Sequence, residues 1–103
     1  MIPLALDQTL HAPVRLQIAS VLANVREAEF ARLREIAQVS DSVLSKHLSA
    51  LAEAGYVRLR KGALDGRQRT WVSFTGAGRK AFAAHVGALK ALVESAEQAI
   101  AAE

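Results

Sequence analysis

The sequence contains no cysteine, which excludes disulfide bonds and thiolate metal sites in this chain. Its three histidines, His11, His47 and His85, lack the spacing of metal ligands, so we expect neither a metal nor another cofactor. The longest apolar run is far too short to span a bilayer, and no basic segment followed by an apolar stretch opens the chain. These absences predict a soluble protein that does not bind a membrane. They also predict a reducing compartment, which we take to be the cytoplasm.

The sequence also lacks the residue patterns of common catalytic sites. It has no nucleophile–base pair, no pair of carboxylates at a useful spacing and no glycine-rich phosphate loop, so we predict that the protein is not an enzyme. Its 103 residues correspond to one domain. Hydrophobic residues make up 51% of the chain, which is ample for a single core.

The distribution of charge matters more than the net charge of +3. Residues 56–75 contain five bases and one acid, Asp65, so this segment carries +4 and the rest of the chain −1. The bases are Arg58, Arg60, Lys61, Arg67 and Arg69. Such residues keep an exposed strand pair soluble and discourage edge pairing, or they form an electrostatic footprint for phosphate groups. Charge alone does not decide between these interpretations.

Three helices are predicted in the first 38 residues of the chain. Apolar residues recur at helical spacing from Pro13 onward, and proline suits a first helical turn because its missing N–H would have no partner there. A short helix with Asp7 near its start precedes it. The charged stretch 26–29 is expected to be a loop, and residues 30–38 predict a helix of about two turns.

The clearest helix boundaries lie at Ser40 and Gly55. Serine is a good N-cap because its hydroxyl accepts from free N–H groups of the next turn, and glycine readily takes the left-handed conformation that ends a helix. The apolar stripe of this helix consists of Leu44, Leu48 and Leu51. His47 lies beside the stripe, and we expect it to be packed and hydrogen-bonded to the backbone.

The second half of the chain predicts a β-hairpin followed by a long helix. Residues 56–62 and 67–75 alternate between apolar and polar side chains, and the Asp65–Gly66 pair between them is a turn signal. A two-stranded hairpin is not stable alone and has to pack against the helices. Thr75 then caps a helix whose apolar stripe runs over nearly three heptads. The predicted fold class is therefore mainly α with a small β-hairpin.

This order of elements is that of a winged helix-turn-helix. The segment SDSVLSKHLSALAEAGYV resembles the recognition-helix region of ArsR- and MarR-like bacterial transcription regulators. LHAPVRLQIASVL is similar to their first core helix, and DGRQRTWVSFTGAGRKAF to their wing. The resemblance covers residues 10–92, and its nearest match is the small MarR-like proteins that are little more than a winged-helix DNA-binding domain. It implies a homodimeric, sequence-specific regulator of double-stranded DNA.

Two positions depart from the family pattern. Ala31 stands where these proteins often have a Ser, Thr or Asn cap, which predicts a weakly capped second helix. Asp41 takes a position that is often neutral and polar, so the target bases are expected to differ. A carboxylate there complements the positive end of the helix and can accept from the amino group of cytosine.

If the helix after Ser40 packs through its leucines, its opposite surface is polar. The predicted DNA contacts of this recognition helix, residues 40–54, are Ser40, Asp41, Ser42, Ser45, Lys46 and Ser49. Short hydroxyl side chains permit close approach to base edges, and Lys46 reaches a guanine edge or a phosphate. The alternative is an ordinary solvated face. The basic hairpin that follows favours DNA, with this helix in the major groove.

The basic hairpin, residues 56–75, is the predicted wing. Its contacts with the DNA backbone or the minor groove are predicted to come from Arg58, Arg60, Lys61, Arg67 and Arg69. In the alternative, some of these residues pair with Asp65 or simply face solvent. Trp71 shares the face of Arg67 and Arg69, but a lone tryptophan so close to the last helix is more typical of a core or an interface than of base stacking.

The stripe of the last helix can pack on its own domain or on the same helix of a second chain. Twofold dimers are the commonest oligomers, which favours the second arrangement. The predicted interface consists of Leu4, Leu6, Leu10, Phe82, Val86, Leu89, Val93, Ala96 and Ile100. We therefore expect one domain over residues 1–103, with a winged-helix core at 10–75 and a dimerisation helix at 76–103.

Two other functions stay open at this point. A winged helix used only for protein–protein interaction would need no phosphate-facing arginines, so five bases against one acid count against it. An enzyme ranks last because the catalytic patterns are missing. No residue signature indicates an effector ligand, and neither the operator nor the sign of regulation follows from the sequence.

Overall fold

The computed structural model describes residues 5–103, which form five helices and one antiparallel sheet. The helices are α1 (Gln8–His11), α2 (Pro13–Leu22), α3 (Phe30–Ala37), α4 (Asp41–Glu53) and α5 (Gly76–Ala101). The strands are β1 (Ala28–Glu29), β2 (Val57–Leu64) and β3 (Arg67–Phe74), in the spatial order β1-β3-β2. The predicted fold class is confirmed, and the predicted order of helices and hairpin is found with one strand, β1, added before α3.

Short-range hydrogen bonds start three of the helices. The Asp7 carboxylate accepts from the N–H groups of Thr9 and Leu10 at 2.9 and 3.1 Å and begins α1. Ser40 Oγ accepts from Val43 N at 3.2 Å at the start of α4. Thr75 Oγ1 accepts from Gly78 N at 3.0 Å at the start of α5. Each cap satisfies a first-turn N–H that has no partner within its helix.

Helix α4 ends as its sequence predicts. Gly55 has φ +79°, the left-handed region that glycine adopts without steric cost. Its N–H donates to Ala52 O at 2.9 Å, and the N–H of Tyr56 donates to Leu51 O at 2.9 Å. This pair of bonds is a Schellman motif, and it turns the chain directly into β2.

Helix α3 begins without a side-chain cap. Its N-cap residue is Glu29, whose side chain makes no capping hydrogen bond, so the predicted weak start is confirmed. The cap position was misplaced, however, since Ala31 lies inside the helix. At the other end Gln38 takes a left-handed φ of 55°, and its N–H donates to Arg34 O at 2.9 Å.

The hairpin has a third strand beside it, so the expectation of a loop over residues 26–29 was wrong for its second half. In β1, Ala28 pairs with Val72 and Glu29 with Trp71. A strand of two residues carries too little periodicity to be recognised locally. The hairpin turn itself has two residues, Asp65–Gly66, both with positive φ, which is the type I′ geometry that matches strand twist.

One hydrophobic core joins the helices to the sheet. Its members are Leu10, Ile18, Ala19, Leu22, Ala28, Leu33, Leu44, Leu48, Leu51, Val57, Val72 and Phe74. The alternation predicted for β3 is confirmed, because Val72 and Phe74 are buried there. Leu59 lies on the same face of the sheet, opposite Val72, yet 44% of it is exposed, since it belongs to the edge strand β2 and Val72 to the central strand β3.

Helix α5 extends away from this core. Its first part packs on β3 and α1, whereas every residue from Ala91 to Ala101 is exposed. The described chain is accordingly elongated, with principal extents of 60 × 25 × 21 Å. Within residues 5–103, no helix combines the length and the apolar character that crossing a membrane requires.

Candidate nucleic-acid interface

The polar side chains predicted on α4 share one exposed surface. Leu44, Leu48 and Leu51 are fully buried and attach the helix to the core. Residues three and four apart lie on one side of a helix, so the serines and the lysine form a continuous face directed away from the leucines. The exposed residues of this surface are Ser40, Asp41, Ser42, Ser45, Lys46 and Ser49. Helix α4 therefore presents small hydrogen-bonding groups and one cation to solvent.

Asp41 at the start of α4 is paired with a residue absent from the predicted site. Arg34, near the end of α3, donates through Nη1 to Asp41 Oδ1 at 2.7 Å. This hydrogen bond, together with the charge of Asp41, raises the pKa of the Arg34 guanidinium. The exposed surface of α4 therefore carries the carboxylate of Asp41 together with the guanidinium of Arg34 from α3.

His47 lies at the edge of the leucine stripe and is half-buried. Burial, and then the neighbouring charge of Arg15, lower the pKa of its imidazole. The packed position agrees with the prediction, whereas the predicted bond to the backbone is absent from the hydrogen bonds of residues 5–103. In the same part of the chain, no cluster of His, Asp or Glu side chains is arranged to hold a metal ion.

One face of the wing carries most of its arginines together with Trp71. Arg60 lies opposite Trp71 in the register, and Gly62 lies opposite Arg69. Opposed residues on antiparallel strands point to the same side of the sheet. Lys61, opposite Thr70, points to the other side. The arginines of the wing are therefore concentrated on one face of the hairpin and are not distributed evenly around it.

Two arginines of the wing are engaged by acids near β1. Arg60 Nη2 donates to Glu27 Oε1 at 2.7 Å, with its guanidinium 5.7 Å from the centre of the Trp71 ring. Arg69 Nη1 donates to Glu29 Oε1 at 2.5 Å, and both of these side chains are largely shielded from solvent. As the alternative interpretation expected, some wing bases are paired with acids. The acids are Glu27 and Glu29 and not Asp65, because the third strand brings them alongside.

The remaining wing bases are unpaired. Arg58, Lys61 and Arg67 are exposed and form no salt bridge with any side chain of residues 5–103. Arg67 directly follows the Asp65–Gly66 turn and therefore lies at the tip of the hairpin. The charge available to an external polyanion is smaller than the sequence suggests, and it lies partly at the tip.

The predicted interface residues of α5 divide into two groups. Val93 and Ile100 are 53% and 69% exposed, and a groove of about 480 Å³ is lined by Val86, Leu89, Lys90, Val93, Glu94 and Glu97. Phe82, by contrast, packs against its own core, with its ring centre 5.9 Å from that of Phe74.

The prediction for Leu10 was wrong. This side chain is fully buried in the core of its own chain, so no surface of it remains for a second chain. The helix that contains Leu10, α1, has only one turn. Such a short segment gives no periodicity that distinguishes an inward-facing from an outward-facing leucine. Leu6 is half-buried, and Leu4 lies outside the described residues.

A buried polar junction ties α5 to the rest of the domain. It consists of Asp7, Tyr56 and His85: Tyr56 Oη donates to Asp7 Oδ2 at 2.5 Å, and Asp7 N donates to His85 Nδ1 at 2.9 Å. His85 is fully buried, and the ring of His11 meets it edge-on at 5.4 Å. Sequence reasoning missed this junction because its members are 49 and 78 residues apart.

The electrostatics of this junction favour a neutral histidine and an ionised aspartate. Burial, and then the neighbouring His11, lower the pKa of His85, while the charge of Asp7 opposes them. Burial acts to raise the pKa of Asp7, but hydrogen bonds from Tyr56, Leu10 and Thr9 outweigh it and lower that pKa. The hydrogen bond to Asp7 raises the pKa of Tyr56.

Known proteins share both the sequence pattern and the fold. A family model described as a winged helix DNA-binding domain matches residues 14–93. The Methanocaldococcus jannaschii protein MJ0432 is 36% identical over 69 residues, which cover 67% of this chain and 75% of that protein. The structure of a transcriptional regulator homologue from Pyrococcus horikoshii matches with a TM-score of 0.80 at 29% identity, covering 86% of this chain and 88% of that one.

A structure from Enterococcus faecalis described as a transcriptional regulator of the MarR family matches with a TM-score of 0.73. At 18% identity, covering 92% of this chain and 84% of that one, this likeness concerns the fold alone. The predicted winged helix-turn-helix agrees with the family model and with the two solved structures. The expected bacterial origin does not follow from them, because Methanocaldococcus jannaschii is an archaeon.

Proposed function

Because this chain belongs to the winged-helix DNA-binding domain family, we propose that it is a transcription regulator that binds double-stranded DNA as a homodimer. In this proposal α4 enters the major groove and reads base edges, and the wing contacts the flanking backbone or minor groove. The core over residues 10–75 makes these contacts, and the helix over residues 76–103 holds the two subunits together. The proposed location is the cytoplasm.

The observation that carries the proposal is the exposed polar face of α4. Its three leucines anchor the helix, so the opposite side is held rigidly and is not a mobile surface. Ser42, Ser45 and Ser49 have short hydroxyl side chains that donate or accept at a base edge, and Lys46 adds one cation among them.

The proposed dimer rests on the uncovered apolar surface of α5. Val86 and Leu89 line the groove, and Val93 and Ile100 extend the apolar surface into the part of the helix that projects from the core. Packing this surface on the same helix of a second chain removes apolar area from water, which favours association. The two α4 helices would then be held at a constant spacing, as a twofold operator requires.

Fluorescence anisotropy titrations of duplex DNA at several salt concentrations test the proposal. Within residues 5–103, the cations of the proposed interface that form no salt bridge are Lys46, Arg58, Lys61 and Arg67. If each neutralises one phosphate, the logarithm of the binding constant of a dimer falls with the logarithm of salt concentration with a slope of about −7. If Arg60 and Arg69 were also free, the slope would be about −11.

The outcome separates this function from its rival. A winged helix used only for protein–protein interaction would show no binding at low salt, and that result would remove the proposal. Sedimentation equilibrium on the same sample gives the oligomeric state independently. A mass of one chain at the concentrations used for DNA binding would remove the dimer while leaving DNA binding intact. The family and the fold are those of transcription regulators and not of enzymes.

A further inference from the structure

The Arg34–Asp41 pair stands on the surface beside the start of α4. The bonded atoms, Arg34 Nη1 and Asp41 Oδ1, are 2.7 Å apart, and the two side chains are still 41% and 66% exposed. Helices α3 and α4 are already joined through the shared hydrophobic core, to which Leu33 and Leu44 belong. Exposed ion pairs add little to stability. A role in holding α3 and α4 together is therefore a poor explanation for this pair.

The pair leaves complementary groups free. Asp41 Oδ2 and the remaining N–H groups of Arg34 have no hydrogen-bond partner within residues 5–103. The pair therefore presents one strong acceptor next to several donors on a rigid guanidinium plane. It carries no net charge, so the phosphates of DNA do not repel it as they would an isolated carboxylate.

This arrangement matches one base-pair edge of the major groove. Cytosine presents an amino donor at N4, and the guanine paired with it presents two acceptors, N7 and O6. A·T pairs present a different order of groups and a methyl group. Adenine also presents an amino donor, but only guanine offers the two adjacent acceptors that a guanidinium binds best, so an acceptor beside an arginine fits C·G better than A·T.

We propose that Arg34 and Asp41 together read one C·G base pair, with Asp41 accepting from cytosine N4 and Arg34 donating to guanine. The inference rests on the proposed DNA-binding function and adds α3 to the reading surface, which the sequence limited to α4 and the wing. Arg34 thereby has two tasks: it cancels the charge of Asp41 and contributes a base contact of its own.

Selection of DNA from a random pool by the purified full-length protein tests this inference. We expect the wild type to enrich C·G at one position of each half-site. Arg34→Ala and Asp41→Ala should each reduce the preference for C·G over T·A at that same position by about tenfold to a hundredfold. The double variant should lose no more than either single variant, because the two side chains act as one unit.

Two further variants sharpen the experiment. Asp41→Asn keeps the shape of the side chain but supplies an amide, which pairs with adenine, so the preference should move toward adenine at that position. Arg32→Ala is the matched control, because Arg32 is an exposed arginine of the same helix that pairs with Glu35 at 3.4 Å. We expect it to leave the selected sequence unchanged. Circular dichroism of each variant confirms that it is folded.

Four outcomes are distinguishable. Loss of C·G preference in both alanine variants at one shared position supports the inference. A folded Arg34→Ala protein that still selects C·G where Asp41→Ala does not would overturn it, as would effects at two different positions. If the wild-type protein binds no DNA at low salt, the proposed DNA-binding function is refuted, and the inference that depends on it is refuted as well.

Discussion

Gly78 of α5 lies directly against the backbone of Tyr56, the residue before β2, and replacing it tests how that helix is docked. A Cβ atom at this position would lie 2.0 Å from the carbonyl oxygen of Tyr56 and 3.0 Å from the Phe74 ring. The same carbonyl oxygen accepts from Thr75 N at 3.0 Å, so it is held in place by the start of α5 itself. Gly78→Ala therefore cannot be accommodated by moving a side chain.

The size of the effect follows from this geometry. Ordinary contacts between a carbon and a carbonyl oxygen begin at about 3.3 Å, so α5 would have to retreat by roughly 1.3 Å from the Tyr56 carbonyl. Overpacking a well-packed site typically costs about 1–3 kcal/mol and at times more. Replacing a helical glycine by alanine gains about 1 kcal/mol in return. Because the clash is with a backbone oxygen, the cost lies at the upper end, about 3 kcal/mol, and we expect Gly78→Ala to destabilise the protein by a net of about 2 kcal/mol.

Gly87→Ala provides the matched control in the same helix. A Cβ atom there has no neighbour within 4 Å, so only the gain in helix propensity remains. We expect this variant to be more stable than the wild type by up to about 1 kcal/mol. Urea unfolding followed by circular dichroism, at one fixed protein concentration, measures both variants. If Gly78→Ala were as stable as Gly87→Ala, the close approach of α5 to Tyr56 would be refuted.

Two other predictions concern the buried junction and the wing. Because the pKa of His85 is lowered in the folded state, the unfolded chain binds more protons below about pH 6.5, so stability should fall as the pH falls through that value. His85→Asn keeps an acceptor for Asp7 N without titrating, and urea midpoints at pH 7.5 and 5 should show a smaller acid loss than in the wild type; equal losses would contradict the assignment. Glu27→Gln frees Arg60, so binding to non-specific DNA should tighten and its salt slope should steepen by about 0.9 per subunit. An unchanged slope would show that Arg60 does not reach a phosphate.

The features that sequence reasoning predicted correctly are those with local causes. Ser40 and Gly55 bound α4 because the cap and the Schellman bonds join groups only a few residues apart. The Asp65–Gly66 turn likewise needs only two residues that tolerate positive φ. The alternation in β3 predicts its buried face because successive strand residues point to opposite sides.

Missed features have causes that are distant along the chain. Glu27 and Glu29 looked like loop residues, and only pairing with β3 places them beside Arg60 and Arg69. The burial of Leu10 depends on the packing of α1 against α2, α4 and α5, so a short α1 gave no sign of which leucine faces inward. Asp41 was predicted as a base contact, but its partner Arg34 lies on another helix, where no spacing rule applies.

The sequence by itself determined where most helices and strands begin and end, which family the chain resembles, and which face of α4 is polar. These properties depend on hydrogen bonds and side-chain periodicity within one or two turns, and such signals are complete in a short stretch of residues. The tertiary structure decided which charges are left for a partner and which leucines are available to a second chain. Ion pairing and burial depend on distances in space, and folding brings together residues such as Asp7 and His85 that are 78 positions apart.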